Sequence, residues 1–270
     1  MKTFSKLMTL AVLMLGLTLP AYAEKIVLEG STTVLPIAQK AAEVYMDKNP
    51  GAQISVRGGG SGVGIASLLD KTCNIADSSR AMKDTEYDKA NTNGVDARAT
   101  VIAMDGIVVI VNPANPVGAL SKKQVKGIYT GSISNWKELG GNDEKIVVIS
   151  RDSSSGTFEA FGALALEGAK VRADALLQAS NQAVASSVAN TPGAIGYVGL
   201  GYVSSSVKAV DYSEVKASKE SVLTGKYKLG RPLFMYTNGE PKGLTKDLID
   251  FILSPEGQKL VEEEGFVGLK

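Results

Sequence analysis

Apolar positions along the chain recur with two different periods. Short apolar runs at residues 26–28 and 52–56 predict β-strands. Each run is followed by a stretch in which apolar residues recur every three or four positions, as on one face of a helix. On the first helix this face consists of Ile37, Ala41, Val44 and Tyr45, and on the second of Ile65, Leu68 and Leu69. Asn49-Pro50-Gly51 predicts the end of the first helix.

The same alternation continues towards the carboxyl end. Residues 107–111 form a continuous apolar run, as expected for a strand buried on both faces, and residues 146–149 predict another strand. A late helical face consists of Leu244, Leu248, Phe251 and Ile252. Ser254-Pro255 then predicts the start of a further helix and Gly265 its end.

Strands that alternate with helices predict an α/β protein with mostly parallel sheets. No linker rich in proline or serine divides the chain. If the protein has two lobes, we therefore expect strands that cross between them, and the apolar segments 101–111 and 230–237 are the best candidates.

The first 23 residues have the pattern of a secretory signal peptide. Lys2 and Lys6 form a basic start, residues 7–19 are apolar, and Ala21-Tyr22-Ala23 matches a cleavage site. The apolar stretch is too short for an ordinary membrane span. We expect cleavage after Ala23, which would leave an exported protein of 247 residues (270 minus 23).

Charge and composition exclude several classes of function. Without Lys2 and Lys6 the 29 basic residues become 27, against 28 acidic residues, so no excess of positive charge indicates a nucleic-acid partner. The sequence has no histidine, which excludes Ser-His-Asp catalysis and histidine metal sites. The single cysteine, Cys73, cannot form an intramolecular disulfide, and we expect it to be buried and unreactive.

Three stretches rich in glycine and hydroxyl side chains each follow a predicted strand and enter a predicted helix. They are GSTTVLP (30–36), GGGSGVG (58–64) and SSSGT (153–157). A helix N-terminus offers unpaired N–H groups and a partial positive charge, and glycine lets an anion approach the backbone. None of the three is a Walker A loop or a dinucleotide fingerprint. Ordinary helix caps are the simpler explanation for any one of them, but three at strand ends favour a ligand site.

Arginines add a fixed charge to two of these regions. Arg151 directly precedes the third stretch, and its guanidinium offers a fork of donors that fits a tetrahedral oxyanion. Arg80, in ADSSR (76–80), is a second candidate, although an arginine after a strand is often a member of a surface ion pair. These residues predict an oxyanion-binding site.

The motifs together carry a resemblance that spans nearly the whole chain after residue 23. GSTTVLP, GGGSGVGIASLL, ADSSR, SRDSSSGT, GAIGYVGLGYV and the segment from Arg231 to Val267 occur in this order. The chain resembles the periplasmic phosphate-binding components of ABC transporters. That resemblance implies a two-lobed type II periplasmic binding protein, with lobe 1 at residues 24–106 and 231–270 and lobe 2 at residues 107–230. It also implies a monomer that closes on inorganic phosphate and delivers it to a membrane permease, without a cofactor.

The resemblance also implies which residues contact the ligand. Carried over position by position, they are Ser31, Thr32, Thr33, Ser61, Asp77, Ser79, Arg80, Arg151, Ser155, Gly156 and Thr157. Well-known members place an aspartate in the ADSSR region to accept the proton of hydrogen phosphate, but Ser79 stands at that position here. Asp77, two residues earlier, could take the acceptor role or pair with an arginine. After Arg151 the family aspartate is replaced by Ser153, and the acidic residue is Asp152.

Two alternative functions remain open at this point. A binder of sulfate, molybdate or tungstate would use the same donors. An exported serine hydrolase would need a base for Ser154 or Ser155, but neither S-x-x-K nor G-x-S-x-G surrounds them.

Overall fold

The computed structural model describes residues 24–269 of the chain, so the predicted signal peptide lies outside the described residues. The strands are β1 (Lys25–Gly30), β2 (Gln53–Arg57), β3 (Ile75–Ser78), β4 (Ala97–Val111), β5 (Ala119–Leu120), β6 (Val147–Arg151), β7 (Leu176–Gln178), β8 (Ala194–Gly199), β9 (Lys208–Tyr212) and β10 (Gly230–Asn238). The helices are α1 (Leu35–Lys48), α2 (Ser61–Leu69), α3 (Asp84–Thr92), α4 (Lys122–Thr130), α5 (Gly156–Leu164), α6 (Asn181–Ala189), α7 (Lys219–Leu223), α8 (Gly243–Leu253) and α9 (Pro255–Glu263).

The strands form one curled sheet in the order β2-β1-β3-β10-β4-β8-β6-β7, and β9 pairs with both β4 and β5. We call β1, β2, β3 and β10, with α1–α3, α8 and α9, the first half of the molecule. The second half consists of β5–β9 with α4–α7. β4 runs through both, because residues 97–106 pair with β10 and residues 107–111 pair with β8 and β9.

The α/β fold is confirmed, but the sheet is more mixed than the expected mostly parallel arrangement. β1 is parallel to β2 and β3, and β6 is parallel to β7 and β8. Each antiparallel pair between the named strands involves β4 or β10. Isolated antiparallel bridges also join Asn135 to Lys145 and Tyr212 to Val215. β4 and β10 are the two strands predicted to cross between lobes, and a chain that leaves one half and returns beside its own exit must run in opposite directions there.

The chain re-enters the first half, on β10, beside the place where it leaves that half on β4. Arg231 pairs with Asp105 and Gly230 with Gly106 across the antiparallel β4–β10 ladder, and Ile107 N donates to Leu229 O at 2.9 Å. Both crossing segments therefore pair with each other where the chain passes between the halves.

Each half has its own hydrophobic core, because helices cover both faces of its strands. One cluster of the first half includes Ile26, Leu28, Ile37, Leu248 and Ile252, on the face covered by α1 and α8. The main cluster of the second half includes Val109, Tyr129, Trp136, Phe161 and Tyr197.

The predicted start and end of the last helix, α9, are confirmed. Ser254 caps α9, since its hydroxyl accepts from Gly257 N at 3.1 Å, and Gly265 follows the helix with φ +81°. Cys73 is buried as expected, and burial raises the pKa of its thiol to about 12, which disfavours the reactive thiolate. No helix within residues 24–269 is long and apolar enough to cross a membrane.

Candidate functional site

The three glycine- and hydroxyl-rich stretches meet between the two halves. They follow the carboxyl ends of β1, β2 and β6 and lead to α1, α2 and α5. The loop before α2 contacts both of the others, because Gly60 N donates to Gly30 O at 2.8 Å and Gly62 N donates to Ser154 O at 2.9 Å. Ser154 Oγ returns a bond to Gly59 O at 3.0 Å.

Gly156, the first residue of α5, allows a very close approach between the halves. A Cβ atom at this position would lie 2.2 Å from Ser61 Oγ and 2.8 Å from Ser79 Oγ, so any side chain would separate these groups. Ser61 is itself fixed, since its hydroxyl accepts from Ser79 N at 3.0 Å. The structure therefore brings Ser61, Ser79 and Gly156 together, and all three are buried.

Arg151 lies at the end of β6 with 1 % of its surface exposed. Its Nε donates to Gln178 O at 2.9 Å and its Nη2 to Ala179 O at 3.0 Å. The remaining nitrogen, Nη1, is buried and has no hydrogen-bond partner within residues 24–269. Burial lowers the pKa of Arg151, but an arginine keeps its charge at neutral pH. A buried cationic donor without an acceptor is costly, and an anion would satisfy it.

A second buried arginine, Arg231, forms the centre of the site. Its Nε and Nη2 lie 3.0 Å and 2.8 Å from Asp105 Oδ2, and the two side chains are 4 % and 0 % exposed. The pair follows from strand register, since directly opposed residues of antiparallel strands lie on one face. Burial raises the pKa of Asp105, and the charge of Arg231 opposes that shift. Arg231 Nη1 also donates to Ser79 O at 3.1 Å.

Arg231 and Asn181 contact the threonine hydroxyls. Asn181 Nδ2 donates to Thr33 Oγ1 at 3.0 Å. The two protons of Arg231 Nη2 are shared among Asp105 Oδ2, Thr33 Oγ1 at 3.2 Å and Thr157 Oγ1 at 3.0 Å. Thr33 Oγ1 and Thr157 Oγ1 lie 3.0 Å apart, and their hydrogen bond uses one of the two hydroxyl protons, so the other is left to donate. Gly199 N fixes the orientation of the Asn181 amide by donating to Oδ1 at 3.1 Å.

The other predicted hydroxyls have local partners as well. Thr32 Oγ1 accepts from Asn181 Nδ2 at 3.0 Å, which places Thr32 in the same cluster as Thr33 and Thr157. Ser31 Oγ accepts from Thr33 N at 3.1 Å and orders the first loop. Ser155 Oγ accepts from Phe158 N at 3.2 Å and caps α5. Each of these serines keeps a hydroxyl proton that it can donate.

Arg80 lies in a different environment from Arg151. Its Nη1 and Nη2 each lie 2.7 Å from an oxygen of Glu86, and its Nε lies 3.0 Å from Glu159 Oε2. Lys83 Nζ lies 2.8 Å from the same Glu159 oxygen. The structure thus places the Arg80 guanidinium in an ion-pair network, with its charge matched by carboxylates, and does not bring it to the threonine cluster.

Asp77 is fully buried, and neither of its carboxyl oxygens has a hydrogen-bond partner within the described chain. It lies on β3 opposite Met235 of β10, on the face that carries the apolar core around Ile75. Burial raises the pKa of Asp77 well above its ordinary value. No arginine pairs with its carboxyl group in residues 24–269. Its backbone carbonyl accepts from Ser31 N at 2.8 Å, so Asp77 supports the first loop through its main chain.

Sequence reasoning missed Asp105, Arg231 and Asn181. A signal existed for the first two, since both are charged residues in the apolar segments 101–111 and 230–237 that were expected to be buried strands. Buried charges require partners, and the pairing of these two segments makes them each other's partner. Asn181 follows the helix cap Ser180, and nothing in the sequence distinguishes it from an ordinary first-turn residue.

Comparisons with known proteins agree with the fold and the motifs. The profile of the PBP superfamily domain matches residues 19–256. The chain is 37 % identical over 245 residues to the phosphate-binding protein PstS of Bacillus subtilis, covering 89 % of this chain and 79 % of that protein. It is 37 % identical over 261 residues to PstS of Borreliella burgdorferi, covering 92 % and 91 %.

Solved structures give the same result. A putative phosphate ABC transporter substrate-binding protein from Clostridium perfringens, solved with bound phosphate, superimposes with a TM-score of 0.86 at 37 % identity and covers 92 % of this chain and all of its own. A phosphate transport receptor from Vibrio cholerae gives 0.74 at 34 % identity, covering 90 % and 99 %. With its profile match, its full-length relatives and its crossed two-half fold, the chain belongs to the PstS phosphate-binding proteins of the PBP superfamily.

Proposed function

We propose that this protein captures inorganic phosphate between its two halves and delivers it to the membrane permease of an ABC transporter. The observation that carries the proposal is the Arg151 Nη1 atom, a buried cationic donor with no acceptor in the described protein. Arg151 ends β6, and the chain then leads into α5. The relatives named PstS and the Clostridium perfringens structure with bound phosphate support the choice of ligand.

Neutral donors and one fixed charge replace the hydration shell of the anion in this proposal. The first N–H groups of α5 have no acceptor within the helix and carry part of the positive end of its dipole. The Thr157 hydroxyl, which contacts Thr33 and Arg231, adds a further donor. The ligand-contacting set that we propose is Ser31, Thr32, Thr33, Ser61, Ser79, Arg151, Ser155, Gly156 and Thr157, with Arg231 and Asn181 orienting the threonines. Asp77 and Arg80 support the surrounding loops.

Closing of the halves strengthens these bonds. We propose that lobe 1 comprises residues 24–106 and 231–270, that lobe 2 comprises residues 107–230, and that they rotate about the crossing at Asp105 and Arg231. Closure excludes water, and each charge-assisted bond is then worth about 1.5–3 kcal/mol net. Because about −8 kcal/mol corresponds to a Kd of 1 μM, a few such bonds beyond the cost of association give sub-micromolar affinity.

Export and delivery complete the proposed function. Cleavage after Ala23 would release the protein into the periplasm, where it acts as a monomer. We propose binding without catalysis. The Ser154 hydroxyl lies within hydrogen-bond distance of Gly59 O and the Asp152 carboxylate, Ser155 caps α5, and no hydrogen bond joins either hydroxyl to a lysine in the described residues. Mass spectrometry of the exported protein would give the cleavage site, and light scattering would give the oligomeric state.

Competition calorimetry between phosphate and sulfate from pH 5 to 9 tests the ligand. We expect sub-micromolar phosphate binding that a hundredfold excess of sulfate does not displace. Sulfate binding of equal strength would overturn the choice of phosphate, and the absence of any oxyanion binding would overturn the whole proposal.

A further inference from the structure

An ion-pair network joins the two halves on the cleft side, outside the anion site. Glu159 lies on α5 of the second half, whereas Arg80 and Lys83 lie just before α3 of the first half. Glu159 Oε2 is 3.0 Å from Arg80 Nε and 2.8 Å from Lys83 Nζ. The Arg80 side chain is 8 % exposed and that of Glu159 20 %, so this pair is largely shielded from water, whereas the Lys83 side chain is 52 % exposed.

Glu86 orients the part of this network that belongs to the first half. Its two oxygens bind Arg80 Nη1 and Nη2, and Oε2 also accepts from Lys83 N at 2.8 Å. This fork fixes the Arg80 guanidinium, and its Nε faces Glu159 at ion-pair distance without the alignment of a hydrogen bond. All of the Glu86 contacts are within the first half, so they persist when the halves separate.

Opening the cleft therefore separates charge. In the closed arrangement Arg80 and Lys83 balance Glu86 and Glu159. When the halves part, the first-half group keeps one excess positive charge and Glu159 keeps its negative charge alone. The pairing of Glu159 favours the closed state, and it acts at the moment of release because only opening breaks it.

We propose that Glu159 is a latch residue, which lowers the rate of ligand release by pairing with Arg80 and Lys83 across the closed cleft. The proposal rests on the proposed function only in naming phosphate as the ligand that the latch retains. The Glu159 side chain has no hydrogen bond or ion pair with the threonine cluster in the described structure, so we expect its main effect on the open–closed equilibrium.

The molecule offers a matched control. Lys219 of α7 and Glu262 of α9 also form an ion pair between the halves, with side chains 51 % and 40 % exposed. This pair lies beside the crossing strands, since α7 packs on β4 and β10. Rotation about the crossing moves this pair less than it moves Glu159. Glu262→Gln thus removes a carboxylate between the halves without removing the latch.

Stopped-flow kinetics with inorganic phosphate test the proposal. In Glu159→Gln we expect the release rate to rise about tenfold while the association rate changes less than twofold. The release rate of the wild type should increase with ionic strength more steeply than the release rate of the variant. Lys83→Gln should raise the release rate as well, and the double variant should show less than the product of the two effects. Equal release rates in wild type and Glu159→Gln, or an equal effect of Glu262→Gln, would overturn the latch.

Small-angle X-ray scattering of the ligand-free proteins separates this outcome from failure of the proposed function. The latch predicts that Glu159→Gln has a larger radius of gyration than wild type and Glu262→Gln at low salt, whatever the ligand. Identical radii would overturn the latch even if phosphate does not bind. Phosphate binding with unchanged kinetics would overturn the latch and leave the proposed function standing.

Discussion

The end of β6 and the crossing of β4 with β10 each contain one buried arginine, and the two arginines differ in how completely their side chains are hydrogen bonded. Arg231 at the crossing is paired with Asp105, and each of its three nitrogens has an acceptor within the protein. Arg151 at the end of β6 donates to two main-chain carbonyls and leaves Nη1 without a partner. Arg80 Nε and Arg172 Nη1 also have no hydrogen-bond partner, but their side chains pair with carboxylates. Arg151 has no carboxylate partner in the described residues, and we therefore propose that its free donor marks the place of the ligand.

Removal of Arg151 tests this distinction with the largest expected effect. Arg151→Met should weaken phosphate binding about a thousandfold, since truncating one partner of a buried charged pair costs about 2–5 kcal/mol. Thermal stability should change little, because the loss of the bonds to Gln178 O and Ala179 O offsets the removal of a buried unsatisfied donor. Calorimetry and thermal unfolding measure both, with Arg57→Met at an exposed position as the control. Unchanged affinity would remove Arg151 from the site.

Removal of Arg231, in contrast, should lower the stability of the protein. Arg231→Met leaves Asp105 buried and unpaired, which should destabilise the ligand-free protein by about 3 kcal/mol. Denaturant unfolding measures this loss. Arg98→Met is the matched control, since Arg98 also lies on a β4 ladder and pairs with Asp96, but is 54 % exposed and should matter little. Equal stability losses in both variants would contradict the role of burial.

Thr157 tests how Arg231 contributes to binding, because we propose that Arg231 acts on the ligand through the threonine hydroxyls that it contacts. Thr157→Val removes one donor and should weaken phosphate binding by about 1.5–3 kcal/mol, or roughly ten- to a hundredfold. Thr157→Ser keeps the hydroxyl and should stay within a few-fold of wild type. If the serine and valine variants bind equally, the Thr157 hydroxyl has no role.

Asp77→Asn should have the smallest effect on affinity and a characteristic effect on stability. The folded state raises the pKa of Asp77, so the unfolded chain loses this proton at lower pH than the folded protein. Stability of the wild type should therefore fall as pH rises above about 4, until the folded pKa is passed. The asparagine variant should lack that decline and be the more stable protein at pH 7 to 8. A drop in its phosphate affinity of tenfold or more would instead place Asp77 in the site.

The sequence was sufficient to predict most of the fold. Alternating runs and helical faces located β1, α1, β2, α2 and α9, because local caps and periodicity determine such elements. The antiparallel pairing of β4 and β10 could not be predicted in this way, since strand direction depends on where the chain returns after some 120 intervening residues. The ion pair of Arg231 with Asp105 depends on the same return.

The candidate site was predictable where it consists of local motifs. Hydroxyls and glycines at helix starts, together with Arg151, indicated an oxyanion site, and these helix starts do meet between the halves. Arg80 and Asp77 show the limit of this reasoning. Asp77 and Arg80 are three residues apart, near the end of β3, and have similar sequence context. Arg80 pairs with Glu86, whereas Asp77 lies on the face that carries the apolar core.

A crystal structure of the purified protein with phosphate tests the central claim most directly. The account predicts one tetrahedral anion within hydrogen-bond distance of Arg151 Nη1 and Thr157 Oγ1, with the Arg231–Asp105 pair intact beside it. An anion bound elsewhere, or an Arg151 Nη1 that bonds a protein carboxylate in place of the anion, would contradict the account.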